Sequence, residues 1–285
     1  MKQLFGRIAD KGEQLLEISV IAAAAIAPSL IDVQSVIAAS DRVELDLLSL
    51  LTYYAAKFGN PGIGVFLAAV AIAAFRKANS KRVINRGPLY HEHGMLWYRF
   101  CSKVLGYGMC SLVRVPIATQ FKLILDDTFD KYDLGEIEEE DDEDAEIEVS
   151  PPPNTEGFPS SSNQAGQVNL LISDTYSISS GLLPDDCREN AAVVVRRLAN
   201  EASFARRYSP KLVDGVTNVV RNLPQGSHVN VFATTNPRNT YEIVNKVFKT
   251  GGRDNINALY VYKQQDGNSE DPRKFVEAIK IYDQD

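Results

Sequence analysis

Three groups of residues have the types and spacing that ligand chemistry uses. The first is Ser173-Asp174-Thr175-Tyr176-Ser177-Ile178-Ser179-Ser180-Gly181, directly after the apolar run Val168–Ile172. It offers hydroxyls, one carboxylate and a glycine, a mix suited to a phosphate- or metal-linked ligand. If the run is a strand of an open α/β sheet, this loop lies at its carboxyl end, where such sheets bind ligands. The second is Thr234-Thr235-Asn236-Pro237-Arg238-Asn239, which leads from a strand into a helix. Amides at a helix start can hold an anion, and Arg238 adds charge. If the two strands are parallel neighbours, both loops share one rim. The candidate ligand-binding residues are therefore Asp174, Thr175, Ser177, Ser179, Thr235, Asn236 and Arg238. The competing reading is that they only cap and turn.

The third group is Arg196, Arg197, Arg206 and Arg207. On a helix running from Asp185 or Asp186 to about Arg207 they would form a basic face. Such a face binds nucleic acid or anionic lipid. It can equally dock the chain's own acidic run.

Catalytic signals are weaker. Two and four positions after Asp174 stand Tyr176 and Ile178, not the serines of a metal-ion-dependent adhesion site. The three spaced glycines of a dinucleotide fingerprint are missing, and there is no Gly-x-Ser-x-Gly. The spacing of His91, His93, Cys101 and Cys110 does not match a zinc site. No catalytic residue, metal or cofactor is assigned.

The elements that must position these loops are legible in the last third. Gln167–Ile172, His228–Thr234, Ala258–Lys263 and Phe275–Tyr282 read as strands. Ser209-Pro210 is a helix-start signature. Leu212, Val213, Val216, Val219, Val220 and Leu223 follow at helical spacing. Asn239 with Glu242 reads as a capping box before a helix that buries Val244, Val247 and Phe248. Gly251-Gly252 would stop that helix, and Asp266-Gly267-Asn268 would turn the chain. The predicted order β-α-α-β-α-β-β implies an α/β domain with a small, partly parallel sheet covered by helices.

The first 134 residues read as helical. Ile18–Ile31 is uncharged, Val43–Phe58 has helical spacing, and Ile63–Phe75 is almost wholly apolar. They suggest either a membrane hairpin or a soluble helix bundle. Flanking charge favours the hairpin: Lys2, Arg7 and Lys11 precede the first apolar stretch, and Arg76, Lys77, Lys81, Arg82 and Arg86 follow the last. The positive-inside rule then puts both termini in the cytoplasm. No signal-peptide cleavage pattern is present. Met95–Leu125 mixes Trp97, Tyr98 and Phe100 with basic residues, and Gly106, Gly108 and Pro116 divide it. It suits either an interfacial helix or a core helix.

Charge places the joint. The chain carries −7 over 285 residues. Ten carboxylates lie between Glu136 and Glu148, and without them the balance is +3. With Pro151–Pro153 and Ser160–Ser162 they mark residues 135–166 as a self-repelling linker between a helical domain (1–134) and an α/β domain (167–285). The composition excludes a disulfide scaffold, a disordered chain and a many-span membrane protein. The leading expectation is a non-enzymatic, membrane-associated, self-associating anchor or effector. Its cytosolic α/β domain would bind an anionic ligand, a nucleic acid or a partner. The alternatives are a soluble capsid-type assembly protein with helical interfaces, and an enzyme acting at the Asp174 loop.

Overall fold

The computed structural model describes residues 11–31, 53, 57–87, 89–140, 146–151, 166–198, 206–249, 255–265 and 273–283. Most of the predicted 43–58 helix, the Gly251-Gly252 stop, the 266–268 turn and the serine run lie outside them. The chain has an amino-terminal helical part and a carboxy-terminal α/β part with mixed strand directions. It divides into two compact units. Unit one is Met1–Leu89, His93–Cys110 and Phe129–Lys131, and unit two is Tyr90–Glu92, Ser111–Thr128 and Tyr132–Asp285. Short pieces expected in the helical domain thus belong with the α/β unit.

Unit one is built on two long helices, α1 (Gly12–Ile31) and α2 (Gly59–Asn79), which pack on each other. The approach is close: a Cβ on Gly64 would overlap the Ala25 carbonyl oxygen. Small residues allow such approaches between helices. Away from that seam the helices face outward. Only 17% of the Gly12–Leu30 window and 11% of the Gly59–Asn79 window is buried. Leu16, Val20, Ile26 and Leu30 are exposed on α1, as are Val65, Leu67 and Val70 on α2. A soluble core helix would bury this surface.

One end of the pair is closed by a polar clasp. The Glu17 carboxylate is 5% exposed and accepts hydrogen bonds from Asn79 Nδ2 (3.1 Å), Arg82 (3.3 Å) and the Tyr107 hydroxyl (3.1 Å). Burial, and then the charge of Glu17, pushes the Tyr107 phenol up to about 12, so it remains a donor. β1 (Val83–Ile84), α3 (Met95–Lys103), β2 (Met109–Ser111) and β3 (Lys131–Asp133) follow α2. β1 runs parallel to β2, with Val83 opposite Met109. The predicted Met95–Leu125 segment is thus three elements, α3, β2 and α4 (Ile117–Leu125), separated where the glycines and Pro116 stand.

Unit two is a six-stranded sheet in the order β4-β6-β5-β7-β8-β9. Its strands are β4 (Glu146–Ser150), β5 (Gln167–Ser173), β6 (Ala191–Leu198), β7 (Ser227–Ala233), β8 (Ile256–Gln264) and β9 (Phe275–Asp283). The inner four are parallel and both edge strands are antiparallel. Leu171 pairs with Val194 on one side and Phe232 on the other. Two single-turn helices, Ser180–Leu182 and Asp185–Cys187, bring Leu183 and Cys187 to this row, which joins Ile178 and Phe275 in one core. The opposite face receives α5 (Pro210–Arg221), whose Gly215 lies against Val195 and Ile147. Ser209 caps α5 by accepting from the Leu212 amide, and Pro210 opens it, as the sequence predicts. The next helix, α6 (Pro237–Ile243), is capped by Asn236, three residues before the predicted cap, and ends in a π turn (Val244–Lys249).

Two expectations are corrected. The predicted helix from Asp185 to Arg207 is strand β6 over Ala191–Leu198. Its valines alternate: Val193 and Val195 are fully buried and Arg197 continues their row, while Ala192 and Arg196 lie on the other face. That period of two, in a β-branched run, fits a strand. The acidic segment is also not a free spacer throughout. Glu146–Ser150 forms the β4 edge beside β6, and Glu140 is buried.

Candidate functional site

β5 lies between β6 and β7, and the chain passes from β5 to β6 on one side, then to β7 on the other. The carboxyl ends of β5 and β7 therefore flank the point where the winding reverses, the usual ligand position in open α/β sheets. The Asp174 and Thr234 loops do share this rim. Thr175 N donates to Thr234 O (3.2 Å), as does the Thr175 hydroxyl (2.6 Å), and Asp174 N donates to the Thr234 hydroxyl (3.2 Å).

A cavity of about 420 Å³ opens on this rim, within unit two. Thr175, Tyr176, Thr234, Thr235 and Asn236 form its floor. A second wall is the turn Val113–Val115 with Gln120 of α4, and a third is Leu134–Ile137. Arg114 and Arg206 are its cations and Glu136 its carboxylate. The volume is that of a small-ligand site, and the lining mixes aromatic, apolar and a few polar groups. Arg114 has φ of 60°, a left-handed conformation uncommon outside glycine. Its turn is clamped: Gln120 Nε2 donates to the carbonyls of Leu112 (3.1 Å) and Val115 (2.8 Å).

Behind the floor sits a buried charge cluster. Arg197 bonds Asp174 through Nε (2.8 Å) and Glu140 through a terminal nitrogen (2.9 Å), and all three side chains are 3% exposed or less. Asp174 also accepts from the Asn236 amide (3.2 Å), Asn236 Nδ2 (3.1 Å) and Asn239 Nδ2 (2.8 Å). Burial raises its carboxyl above the ordinary value, against the Asn239, Arg197 and Asn236 interactions that lower it. This carboxylate ties the ends of β5 and β6 to the start of α6.

The structure sorts the sequence candidates accordingly. Thr175, Thr235, Asn236 and Arg206 line the cavity. Asp174 is buried below it with its oxygens occupied, so it offers no carboxylate to a substrate. Ser177 and Ser179 are exposed and outside the lining. Arg238 turns away, donating to Ile137 O (2.8 Å), approaching Glu139 (3.5 Å) and covering the Tyr208 ring at 4.5 Å. The Asn236 and Asn239 amides at the start of α6 are already used, by Asp174 and by the Asn236 cap.

The predicted basic helix face does not exist. Arg196 and Arg197 point to opposite sides of β6, and both meet the acidic segment: Arg196 pairs with Glu148 (3.5 Å) and Arg197 with Glu140. The Arg207 carbonyl accepts from Asn236 and Asn239. Among the described residues no three His, Cys, Asp or Glu side chains are placed to hold a metal.

Sequence reasoning missed Tyr90, Arg114, Gln120 and Leu134–Ile137, which come from segments assigned to the helical domain and the linker. The one local signal was Pro116, which ends the turn and starts the helix that carries Gln120.

A family model described as SMODS- and Ubiquitin system-associated 2TM effector domain (SUa-2TM) matches residues 40–276. α2 and the whole cavity lining lie inside that range, and α1 lies ahead of it. No curated protein matches the sequence. Similar solved structures include the Acinetobacter baumannii Cap4 SAVED/CARF-domain containing receptor with the cyclic trinucleotide 3′3′3′-cAAA. It is 7% identical, with a TM-score of 0.41 over 84% of this chain and 63% of that one. The same receptor with 2′3′3′-cAAA gives 8% identity and a TM-score of 0.39 over the same shares. This chain thus spans under two thirds of those chains.

Proposed function

We propose, from the premise that the chain belongs to the SMODS- and Ubiquitin system-associated 2TM effector family, that it is a membrane effector controlled by an anionic, nucleotide-class ligand. The family match over residues 40–276 supports a membrane effector. We assign the two spans to α1 and α2. They are 20 and 21 residues long, and their outward faces are hydrophobic. About 20 such residues cross a bilayer. The soluble-assembly alternative would need those faces covered.

The observation that carries the ligand reading is the cavity at the winding reversal of the sheet. Its two arginines suit phosphate, since a guanidinium is always charged and forks onto oxyanions. The Thr175 and Thr235 hydroxyls keep lone pairs that suit a donor on a polar ring system, whereas the Asn236 side chain is spent on Asp174, Arg207 and the α6 cap. Tyr90 and Tyr176 supply flat apolar surface. The volume fits one nucleotide unit better than an extended polymer. Asp174 is spent on structure, so the reading assigns the cavity to binding.

The test is the melting temperature of the full chain in lipid nanodiscs with 3′3′3′-cAAA, AMP or ATP as probes. A ligand present at a hundredfold its Kd stabilises by about 2.7 kcal/mol. The expected result is a concentration-dependent rise with at least one nucleotide, lost in Arg206→Glu. No rise with any of them, on a folded protein, overturns the ligand reading.

A further inference from the structure

We propose that α3 is an interfacial helix that docks on an anionic bilayer surface. It lies where α1 begins and α2 ends, seats Leu96, Trp97 and Phe100 at the headgroup boundary, and holds anionic lipid headgroups with Arg99, Lys103, Lys77 and Lys81. This deepens the membrane reading above and rests on its assignment of the spans.

Both ends of α3 are tied to the spans. Near its start, the ammonium of Lys11, the residue just ahead of α1, sits 4.6 Å from the centre of the Trp97 ring. At its end, Arg76 in the last turn of α2 donates to the Lys103 carbonyl. The chain beyond is pressed against the same turn: Gly106 has φ of 79°, and a Cβ there would overlap the Arg76 backbone. The nine residues of α3 therefore bridge the ends of the two spans, at the level where apolar helix gives way to charge.

The two sides of α3 meet different media. Tyr98 and Cys101 are fully buried. Leu96, Arg99 and Lys103 are exposed, and their spacing of three and four residues puts them on one face. Leu96 is 82% exposed, as open as Leu30 on the outward face of α1 at 80%. Next to it in the chain, Trp97 is half-buried and stacks on half-buried Phe100, ring centres 6.1 Å apart. A single exposed leucine needs no explanation. One beside a stacked tryptophan and phenylalanine, among cations and at two span ends, does. Tryptophan favours the membrane–water boundary, because its ring is apolar and its N–H is polar. Lys and Arg there keep their stems in the apolar layer and their charges among the headgroups. Lys77 and Lys81, exposed at and just beyond the end of α2, extend that charge, and α3 itself contains no carboxylate to oppose it. Basic clusters beside a span attract anionic lipid.

Trp97 is the only tryptophan of the chain, so its emission reports α3 alone. The test places the full chain in nanodiscs of phosphatidylcholine and phosphatidylglycerol, with bromines on the acyl chains as quenchers. An interfacial helix sinks its apolar face about 5–10 Å into the headgroup and acyl boundary. Bromines near the carboxyl end of the chain are therefore expected to quench Trp97 strongly, and bromines near the methyl end weakly. Leaving out phosphatidylglycerol is expected to reduce the shallow quenching, and Arg99→Glu with Lys103→Glu should do the same in the mixed lipid. Emission untouched by either quencher, or quenched more by the deep one, overturns the interfacial helix and leaves the spans standing. Quenching indifferent to lipid charge overturns the headgroup contact. A chain that does not enter nanodiscs overturns the spans and this inference with them. Both lipid comparisons use the unaltered protein, so they decide the matter even if the double variant fails to fold.

Discussion

Arg197 holds two buried carboxylates at once, Asp174 and Glu140. Removing one partner of a buried ionic group leaves charge unpaired in a medium that cannot solvate it, at about 3–5 kcal/mol. Arg197→Ala is therefore expected to lower the unfolding free energy of the full chain by that order, measured in a denaturant titration in detergent. Arg197→Lys should recover little, since an ammonium lacks the fork that reaches both carboxylates. A loss below about 1 kcal/mol for Arg197→Ala would show that the cluster is hydrated. The pair Arg196-Arg197 reads in the sequence as surface, because adjacent arginines are nearly always solvated. Its partners explain the error. Glu140 and Glu148 belong to the acidic run, so charges that look like a solvated face and a repelling spacer neutralise each other in the fold.

At the scale of elements, α1 and α2 meet where a side chain at Gly64 has no room. The overlap falls at the Cβ position and on backbone, so Gly64→Ala should already show most of the effect of Gly64→Leu. Overpacking of this kind costs about 1–3 kcal/mol, read as a lower melting temperature in micelles. An unchanged Gly64→Ala would disprove the seam. The strands and helices after residue 209 were legible because each carries two agreeing signals. Ser209-Pro210 with a 3-4-3 apolar row fixes α5, and alternation favours a strand for β9. β6 was not legible. Its run Ala191–Leu198 is short and apolar, and periodicity alone does not separate such a run from a buried helix.

For the whole molecule, the prediction concerns sidedness. Basic residues cluster before α1 and after α2, so both ends should lie on the cytoplasmic side, with the connecting segment across the membrane. Cys101, Cys110 and Cys187 are all buried. Burial, with the Glu17 charge, pushes the Cys101 thiol up to about 12, and burial raises Cys187 as well. Native thiols should therefore stay silent towards a membrane-impermeant maleimide, and engineered ones report cleanly. Lys2→Cys and Ser80→Cys are expected to label only after the membrane is opened, and Asp46→Cys in intact cells. Labelling of Ser80→Cys from outside would reverse the orientation.

The sequence by itself determined what is local or periodic. It placed two apolar helices with asymmetric basic flanks, the α5 cap, most of the parallel strands, and the two loops that share the rim. It also picked out the acidic run, because a run of like charge is visible without a fold, but not that Glu146–Ser150 is an edge strand of the sheet. Only the tertiary structure decided which residues meet. Sheet order put β5 between β6 and β7 and so created the cavity. Burial made Asp174 a tie between elements rather than a ligand. The walls came from Tyr90, Gln120 and Leu134–Ile137, far apart along the chain and unremarkable in composition. A binding site is a set of directions in space, and linear spacing records directions only within one helix or one strand.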